Sequence, residues 1–186
     1  GCIFIKPDTR NLENVVAVKG KLLDRIKDLD EIPSPYLTGM LDKFFDGKLT
    51  PFLETNRGCP FTCSFCHTGD HYFHKLNKFS EKRVKEEIEY IGKKAGPLGI
   101  TNLHLADVNF GMYPTDKKTC EFFLESKKKY KWPLTIIGTT GKNAKERVME
   151  ITGILGDMFA VNMAMQSLSE TVLQNVGRAN IKLDHM

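Results

Sequence analysis

Three cysteines within eight positions are the residues of this sequence with the clearest capacity for chemistry. Cys59, Cys63 and Cys66 lie in the stretch CPFTCSFC. Thiolates at this spacing can wrap one side of a compact metal centre, and soft thiolates select iron–sulfur clusters, zinc or copper(I). Zinc modules usually pair their cysteines with a second pair about a dozen or more residues away, and the sequence has no such pair. A four-iron cluster normally takes four thiolates, so three would leave one iron open for reaction.

The remaining cysteines and the nearby histidines leave several interpretations open. Cys2 and Cys120 are isolated, and an odd total of five cysteines is a poor disulfide framework. Cys120 falls on the apolar face of a predicted helix, where we expect a core residue. Three histidines follow the cysteine stretch, at His67, His71 and His74. Together with Cys66 they could form a zinc site, they could act as acids, bases or donors toward a substrate, or they could be ordinary loop residues.

The composition is that of an ordinary globular protein. The chain has 186 residues, of which 41% are hydrophobic and 27% charged, and this excludes collagen and wholesale disorder. No apolar run reaches the roughly 18 residues of a membrane span, and no signal-peptide pattern is present, so we expect a soluble, cytoplasmic protein. The net charge of +4 is small. Six lysines between Lys117 and Lys131 could touch nucleic acid, but their helical spacing favours the solvated face of a helix.

From residue 51 onward, the pattern predicts four successive units of strand, loop and helix. Such alternation predicts a parallel sheet with helices outside it. The predicted strands are 51–56, 102–108, 134–138 and 159–165. The predicted helices follow Ser80, Thr115 or Asp116, Asn143 and Ser169. In such folds the chemistry sits at the carboxyl ends of the strands, here residues 57–59, 107–110, 139–142 and 166–167.

The first 50 residues predict a different organisation. Residues 1–4 and 14–19 are typical of two short strands, which could form a hairpin. Residues 26–36 predict an extended linker, because two prolines stand among acidic residues. Ser34 and Pro35 then favour a helix that ends at Asp46-Gly47. A closed barrel of eight units takes about 250 residues, so four units cannot close one. Either the sheet is open or the chain is a fragment of a longer protein, and we favour the fragment.

The cysteines follow the spacing Cys-x3-Cys-x2-Cys, after a first strand and with Phe65 before the third cysteine. This arrangement resembles that of the radical S-adenosylmethionine (SAM) superfamily. The stretch TPFLETNRGCPFTCSFCHTG, residues 50–69, is similar to the cobalamin-linked branch. The stretch LDEIPSPY, residues 29–36, is similar to the linker that follows the cobalamin-binding domain in that branch. The resemblance runs from about Ile26 to Ile181.

The resemblance implies both a fold and an organisation of domains. The fold would be an α/β partial TIM-like barrel of (β/α) units, with about four units present of an expected six. Residues 1–50 would be a linker after a missing, cobalamin-binding domain. Residues 51–186 would be a radical SAM core domain that is incomplete at its C-terminus.

The resemblance also implies an activity. Cys59, Cys63 and Cys66 would hold a 4Fe–4S cluster, and the amino and carboxylate groups of SAM would chelate the fourth iron. The reduced cluster would cleave SAM to methionine and a 5′-deoxyadenosyl radical, which would abstract hydrogen from a small-molecule substrate. A reductant such as flavodoxin or ferredoxin would supply the electron. Cobalamin-assisted methyl transfer or a rearrangement would follow, and the substrate itself is not identified.

Further site residues are carried over from the family one by one. Phe65 would lie near the adenine of SAM. Many relatives bind the SAM amino group with a Gly-Gly-Glu motif after the second strand, which this chain lacks, so Asp107 or Asn109 would supply the acceptor there. Alternatively, Asp107 caps the loop backbone. Glu54 matters only if its side chain points into the barrel.

Three polar residues near the C-terminus complete the predicted set. Gln166 and Ser167 would contact the ribose or carboxylate of SAM, or else form a polar turn. Arg178 would reach an acidic group of SAM or of the substrate, or else lie on the surface near a helix end.

Two other functions stay open at this stage. A methylthiotransferase-like tRNA modifier would normally show further cysteines for a second cluster. A non-catalytic module would place the cysteines and a histidine on structural zinc and Lys117 to Lys131 on the phosphates of a nucleic acid. The β/α alternation weighs against this module, and we expect neither a nucleic-acid nor a membrane partner.

Overall fold

A four-stranded parallel sheet forms the centre of the structure, a computed structural model that describes residues 3–5, 16–21, 23–162, 164–178 and 180. Its strands are β3 (Phe52–Leu53), β6 (Asn102–Leu105), β7 (Thr135–Thr139) and β8 (Phe159–Asn162), adjacent in chain order. They are preceded by β1 (Ile3–Ile5), which pairs antiparallel with β2 (Ala17–Lys19). The short strands β4 (Asn56–Arg57) and β5 (Asn77–Lys78) form a separate antiparallel pair. The predicted parallel sheet and N-terminal hairpin are confirmed, although Cys2 and residues 6–15 lie outside the described residues.

One helix follows each strand of the parallel sheet. The helices are α1 (Glu81–Ala95), α2 (Pro114–Tyr130), α3 (Lys145–Leu155) and α4 (Glu170–Asn175). Ser80 accepts a hydrogen bond from the Arg83 amide at 3.1 Å, and Ser169 caps α4 through the amide of Val172. Both predicted caps are therefore confirmed. No helix in the described part of the chain is long and apolar enough to cross a membrane.

Two other predicted caps are wrong. Helix α2 begins at Pro114, with Tyr113 as its N-cap, so neither Thr115 nor Asp116 occupies that position. The carboxylate of Asp116 instead reaches back from the first turn and accepts hydrogen bonds from the amides of Gly111 and Tyr113. Ala144, which has no side chain that can cap, precedes α3, so Asn143 does not cap that helix.

The core lies between the sheet and helices α1, α2 and α3. Leu53, Leu103 and Ile136 point from neighbouring strands to this side and are fully buried. Cys120 is also fully buried on α2, as predicted. Helix α2 also turns Phe122 and Phe123 inward, whereas Leu124 is exposed.

The opposite face of the sheet is open in the described part of the chain. Phe52, His104 and Ile137 occupy one row across three strands, because they are register partners. The Phe52 ring stacks on His104 with 5.6 Å between the ring centroids. This row lies on the face that would line the inside of a barrel.

Two predicted elements near the start of the sheet differ from the structure. Residues 34–47 form turns and one 3-10 turn, Asp42–Phe44, rather than an α-helix. Gly39 adopts a positive φ of 73°, which breaks the helical path, and Met40 stays 69% exposed. The predicted strand 51–56 divides into β3 and β4, because β4 leaves the sheet to pair with β5.

Candidate metal centre

The loop that carries the three cysteines is anchored where β4 ends. Gly58 follows β4 with φ of 125°, and a Cβ atom there would overlap the carbonyl oxygen of Lys75. The Cys59 amide donates a hydrogen bond of 2.9 Å to the carbonyl of Phe73. The chain therefore enters and leaves the cysteine loop side by side, which fixes the backbone of the first cysteine.

The interior of the loop is equally constrained. The amide of Cys66 donates to the carbonyl of Cys63 at 3.0 Å, and the amide of Gly69 donates to the carbonyl of Cys66 at 2.9 Å. A Cβ atom on Gly69 would overlap the carbonyl of Cys63. The amide of Ser64 donates to Val176 at 3.0 Å, so the segment after α4 also holds the loop. The spacing between the cysteines is thus built into a tight backbone turn.

The thiols themselves suit a metal–sulfur centre. Cys59 and Cys63 are buried, Cys66 is partly exposed, and all three are free. The Cys66 sulfur lies 3.2 Å from Oγ1 of Thr68, and this hydrogen bond lowers the pKa of the Cys66 thiol. A lower pKa favours the thiolate, which is the form that binds metal.

The same residues do not form a site for a single ion. Within the described residues, no three His, Cys, Asp or Glu side chains converge on one point where a metal ion would bind. A 4Fe–4S cluster does not require such convergence, since each cysteine binds a different iron. Three free thiols on one short loop are donors that such a cluster can use, and the described residues give the zinc interpretation no support.

The three histidines pack within their own loop. His67 contacts the ring of Phe73 at 5.0 Å between centroids, and the rings of His71 and His74 meet edge to face at 5.3 Å. His74 Nε2 also lies 3.1 Å from the carbonyl oxygen of Gly69. These contacts support the interpretation of the histidines as loop residues.

Asp107 joins the ends of neighbouring strands. It is 1% exposed, and its Oδ1 accepts a 2.7 Å hydrogen bond from the Thr55 amide. Its Oδ2 accepts hydrogen bonds from the Thr55 hydroxyl and, at 2.8 Å, from Nδ2 of Asn56. Burial raises the pKa of Asp107 to about 7. These contacts match the backbone-capping alternative, whereas a contact with SAM stays a prediction.

Asn109, in contrast, lies directly against a cysteine. Its side chain is 1% exposed, and Nδ2 lies 3.3 Å from the sulfur of Cys59. Its Oδ1 is buried without a hydrogen-bond partner in the described part of the chain. Of the two candidate acceptors after β6, Asn109 is therefore the one that contacts a cysteine of the loop.

Phe65 and Arg178 come together although they are far apart in sequence. The Arg178 guanidinium lies 6.0 Å from the centroid of the Phe65 ring, which is 52% exposed. Arg178 is only 6% exposed and donates to the carbonyl of Ala164 and to Oδ1 of Asn180. The surface-arginine alternative for Arg178 is therefore wrong.

Gln166 and Ser167 form the turn that leads from β8 to α4. Gln166 is exposed and has φ of 64°, the left-handed conformation. The hydroxyl of Ser167 accepts a hydrogen bond from the Ser169 amide at 3.1 Å. This geometry supports the polar-turn alternative, and a contact of either residue with SAM stays a prediction.

A cavity of about 570 Å³ adjoins the cysteine loop. It lies between the linker and the end of β3, and its lining includes Leu29, Glu54 and Tyr72. Glu54 forms a 2.6 Å ion pair with Arg57. The side chain of Glu54 therefore points toward an open space at the carboxyl end of the sheet, and not away from it.

Arg25 is a structural residue that the sequence did not reveal. Its guanidinium donates to the carbonyls of Arg57, Tyr72 and Lys75, at 3.0, 3.2 and 2.5 Å. It thereby ties the linker to both ends of the cysteine loop. No local sequence signal marks such a contact, because the partners are 32 to 50 positions away.

Comparisons with known proteins agree with this architecture. The chain is 32% identical to the cobalamin-dependent radical SAM methyltransferase TokK of Streptomyces tokunonensis, over 95% of this chain and 26% of TokK. It is also 32% identical to a 2-(S-pantetheinyl)-carbapenam-3-carboxylate methyltransferase of Streptantibioticus cattleyicolor, over 91% of this chain and 26% of that protein. The chain thus spans about a quarter of the length of these curated relatives.

A solved structure shares the fold. The cobalamin-dependent SAM radical enzyme OxsB, with aqua-cobalamin and SAM bound, aligns with a TM-score of 0.64 at 20% identity, over 90% of this chain and 25% of OxsB. This likeness confirms the predicted α/β partial TIM-like barrel. A sequence model of the Radical SAM superfamily matches residues 53–183, more than two-thirds of the chain. The chain therefore belongs to the radical SAM superfamily.

Proposed function

We propose that Cys59, Cys63 and Cys66 hold a 4Fe–4S cluster and that SAM binds beside it. The observation that carries this proposal is the set of three free thiols on one backbone-anchored loop beside the carboxyl ends of the parallel strands. When bound and reduced, the cluster supplies the electron that cleaves SAM to methionine and a 5′-deoxyadenosyl radical. Two of the thiols are buried, which keeps water away from the centre.

The surrounding residues would orient SAM. The exposed Phe65 ring offers a surface on which the adenine can stack. Arg178 donates hydrogen bonds to the carbonyl of Ala164 and to Asn180, and Asn180 donates one to the carbonyl of Met165. These contacts hold the backbone at residues 164–165. Gln166 and Ser167, which follow this segment directly, would then present polar groups to the ribose or carboxylate of SAM. Asn109 and Asp107 would line the side that faces the amino group.

Cobalamin use is the second part of the proposal. TokK is named a cobalamin-dependent methyltransferase, and OxsB is solved with cobalamin. We infer that residues 1–50 connect the core, residues 51–186, to a cobalamin-binding domain, and that the whole protein transfers a methyl group or rearranges a small-molecule substrate. A reductant such as flavodoxin or ferredoxin would donate the electron. The contacts of Arg25 support a linker that is held firmly against the core.

The test is the response of the cluster to SAM. After anaerobic reconstitution and reduction, the electron paramagnetic resonance (EPR) spectrum of the chain should change when SAM is added, because SAM occupies the open iron. S-adenosylhomocysteine keeps the amino and carboxylate groups that would chelate this iron, so it should change the spectrum as well. Adenosine, which lacks both groups, is the control ligand and should not change it. A spectrum that is indifferent to SAM would refute the proposal, even where iron is bound.

A further inference from the structure

We propose that Asn109 is a positioning residue that donates a hydrogen bond to the sulfur of Cys59 and raises the reduction potential of the cluster. The proposal rests on the proposed cluster on the three cysteines. Its structural basis is the 3.3 Å distance between Nδ2 of Asn109 and Sγ of Cys59, in a region where both residues are buried.

The side-chain amide of Asn109 forms a stronger hydrogen bond with a charged sulfur than with a neutral thiol. A neutral thiol is a weak acceptor, and burying an amide with such a partner is unfavourable. Because Oδ1 of Asn109 also has no partner among the described residues, the side chain is poorly satisfied beside a thiol. A thiolate bound to iron is a charge-assisted acceptor, and a hydrogen bond to it is stronger. The arrangement therefore fits the metal-bound state of Cys59.

The loop that carries Asn109 is held in place independently of the cysteines. The Asn109 carbonyl accepts a hydrogen bond from the Met112 amide at 3.1 Å. The next residue, Phe110, is fully buried, and its amide donates to Thr139 at the end of β7 at 3.0 Å. Asp116 holds the amide of Gly111 from the start of α2. The backbone that carries the Asn109 side chain is thus held in place without any contact from a cluster.

The direction of the effect follows from charge. Reduction adds negative charge to the cluster and its sulfurs, and a hydrogen-bond donor stabilises that charge. Loss of the donor should therefore favour the oxidised cluster. We expect Asn109→Leu, which keeps the branched shape of the side chain and removes the donor, to shift the reduction equilibrium about tenfold, or about 59 mV lower for a one-electron couple.

The matched control is Asn77→Leu. Asn77 is also buried, but its amide donates to the carbonyl of Ile26 at 2.9 Å and not to sulfur. Potentials are measured by EPR-monitored redox titration, with iron content determined on the same samples. An unchanged potential in a loaded Asn109→Leu protein overturns the proposal, and so does an equal shift in Asn77→Leu, because that shift would come from loop packing.

A second measurement starts from the unaltered protein, so its main result does not depend on whether a variant folds. Reduced, unaltered protein with ¹⁵N in its asparagine amides should show a weak ¹⁵N coupling to the cluster by pulsed EPR. The coupling should vanish in Asn109→Leu wherever that protein binds iron. Absence of the coupling from iron-loaded, unaltered protein overturns the role of Asn109. Failure of the unaltered protein to bind iron is a different result, which refutes the proposed cluster itself.

Discussion

Replacing Asp107 with asparagine should flatten the dependence of stability on pH. Burial raises the pKa of Asp107 from 3.8 to about 7, so the folded protein holds this proton more tightly than the unfolded chain. The resulting stability is complete below about pH 4 and is lost as the pH rises to about 7. Asparagine does not titrate. It can be accommodated if the Asn56 amide, whose Nδ2 faces Asp107, turns over, because Oδ1 of Asn56 has no partner in the described part and could then accept from the new amide.

The magnitude follows from the size of the shift. Each pKa unit corresponds to about 1.4 kcal/mol, and about two units of this titration lie between pH 5 and pH 8. The protein should therefore lose about 3 kcal/mol of unfolding free energy between these pH values through Asp107 alone. The change measured in Asp107→Asn should be smaller by that amount, since all other groups titrate equally in the two proteins.

The assay is urea-induced unfolding of the metal-free chain at pH 5 and pH 8, under anaerobic and reducing conditions. Asp46→Asn is the control, because Asp46 accepts hydrogen bonds from backbone amides at the surface and its pKa is lowered, not raised. The control should not reproduce the flattening. Parallel pH profiles for Asp107→Asn and the unaltered protein would refute the burial argument for Asp107.

Two further predictions concern the cysteine loop. In Gly69→Ala the new Cβ atom would overlap the carbonyl of Cys63, so the bound iron per chain should fall. The control is Gly153→Ala in helix α3, whose new Cβ atom meets no atom within 4 Å and which should keep its iron. Equal iron contents in the two variants would contradict the loop geometry. Thr68→Val removes the hydrogen bond that lowers the pKa of Cys66, so the Cys66 thiol of the metal-free protein should react more slowly with iodoacetamide at pH 8. An unchanged rate, followed by mass spectrometry of the labelled peptide, would show that Thr68 does not stabilise the thiolate.

The sheet and its helices could be predicted because their signals are local. The apolar spacing and the serine caps of α1 and α4 depend on residues only a few positions apart. The predicted helix at residues 34–47 is wrong because one glycine, Gly39, adopts a left-handed conformation that breaks the helix which Ser34 and Pro35 would begin. The end of the first strand was missed because the pairing of β4 with β5 depends on residues some twenty positions away.

The candidate site also has parts that local sequence signals predict and parts that depend on distant residues. The three-cysteine motif could be recognised in the sequence because its spacing is itself the chemical signal, and its role as a cluster site stays a prediction. The contacts of Arg25 and Asn109 could not be predicted, because their partners lie 32 to 50 positions away. The sequence could place Arg178 near a helix end, but only the fold shows that it is buried beside Phe65.

The most direct test of the account is the metal content after anaerobic reconstitution with iron and sulfide. The proposed cluster predicts a brown protein with about four irons per chain. The colour should be lost in Cys63→Ala and kept in Cys120→Ala, which removes a thiol buried in helix α2. A colourless chain with about one zinc, or an unchanged iron content in Cys63→Ala, would contradict the assignment.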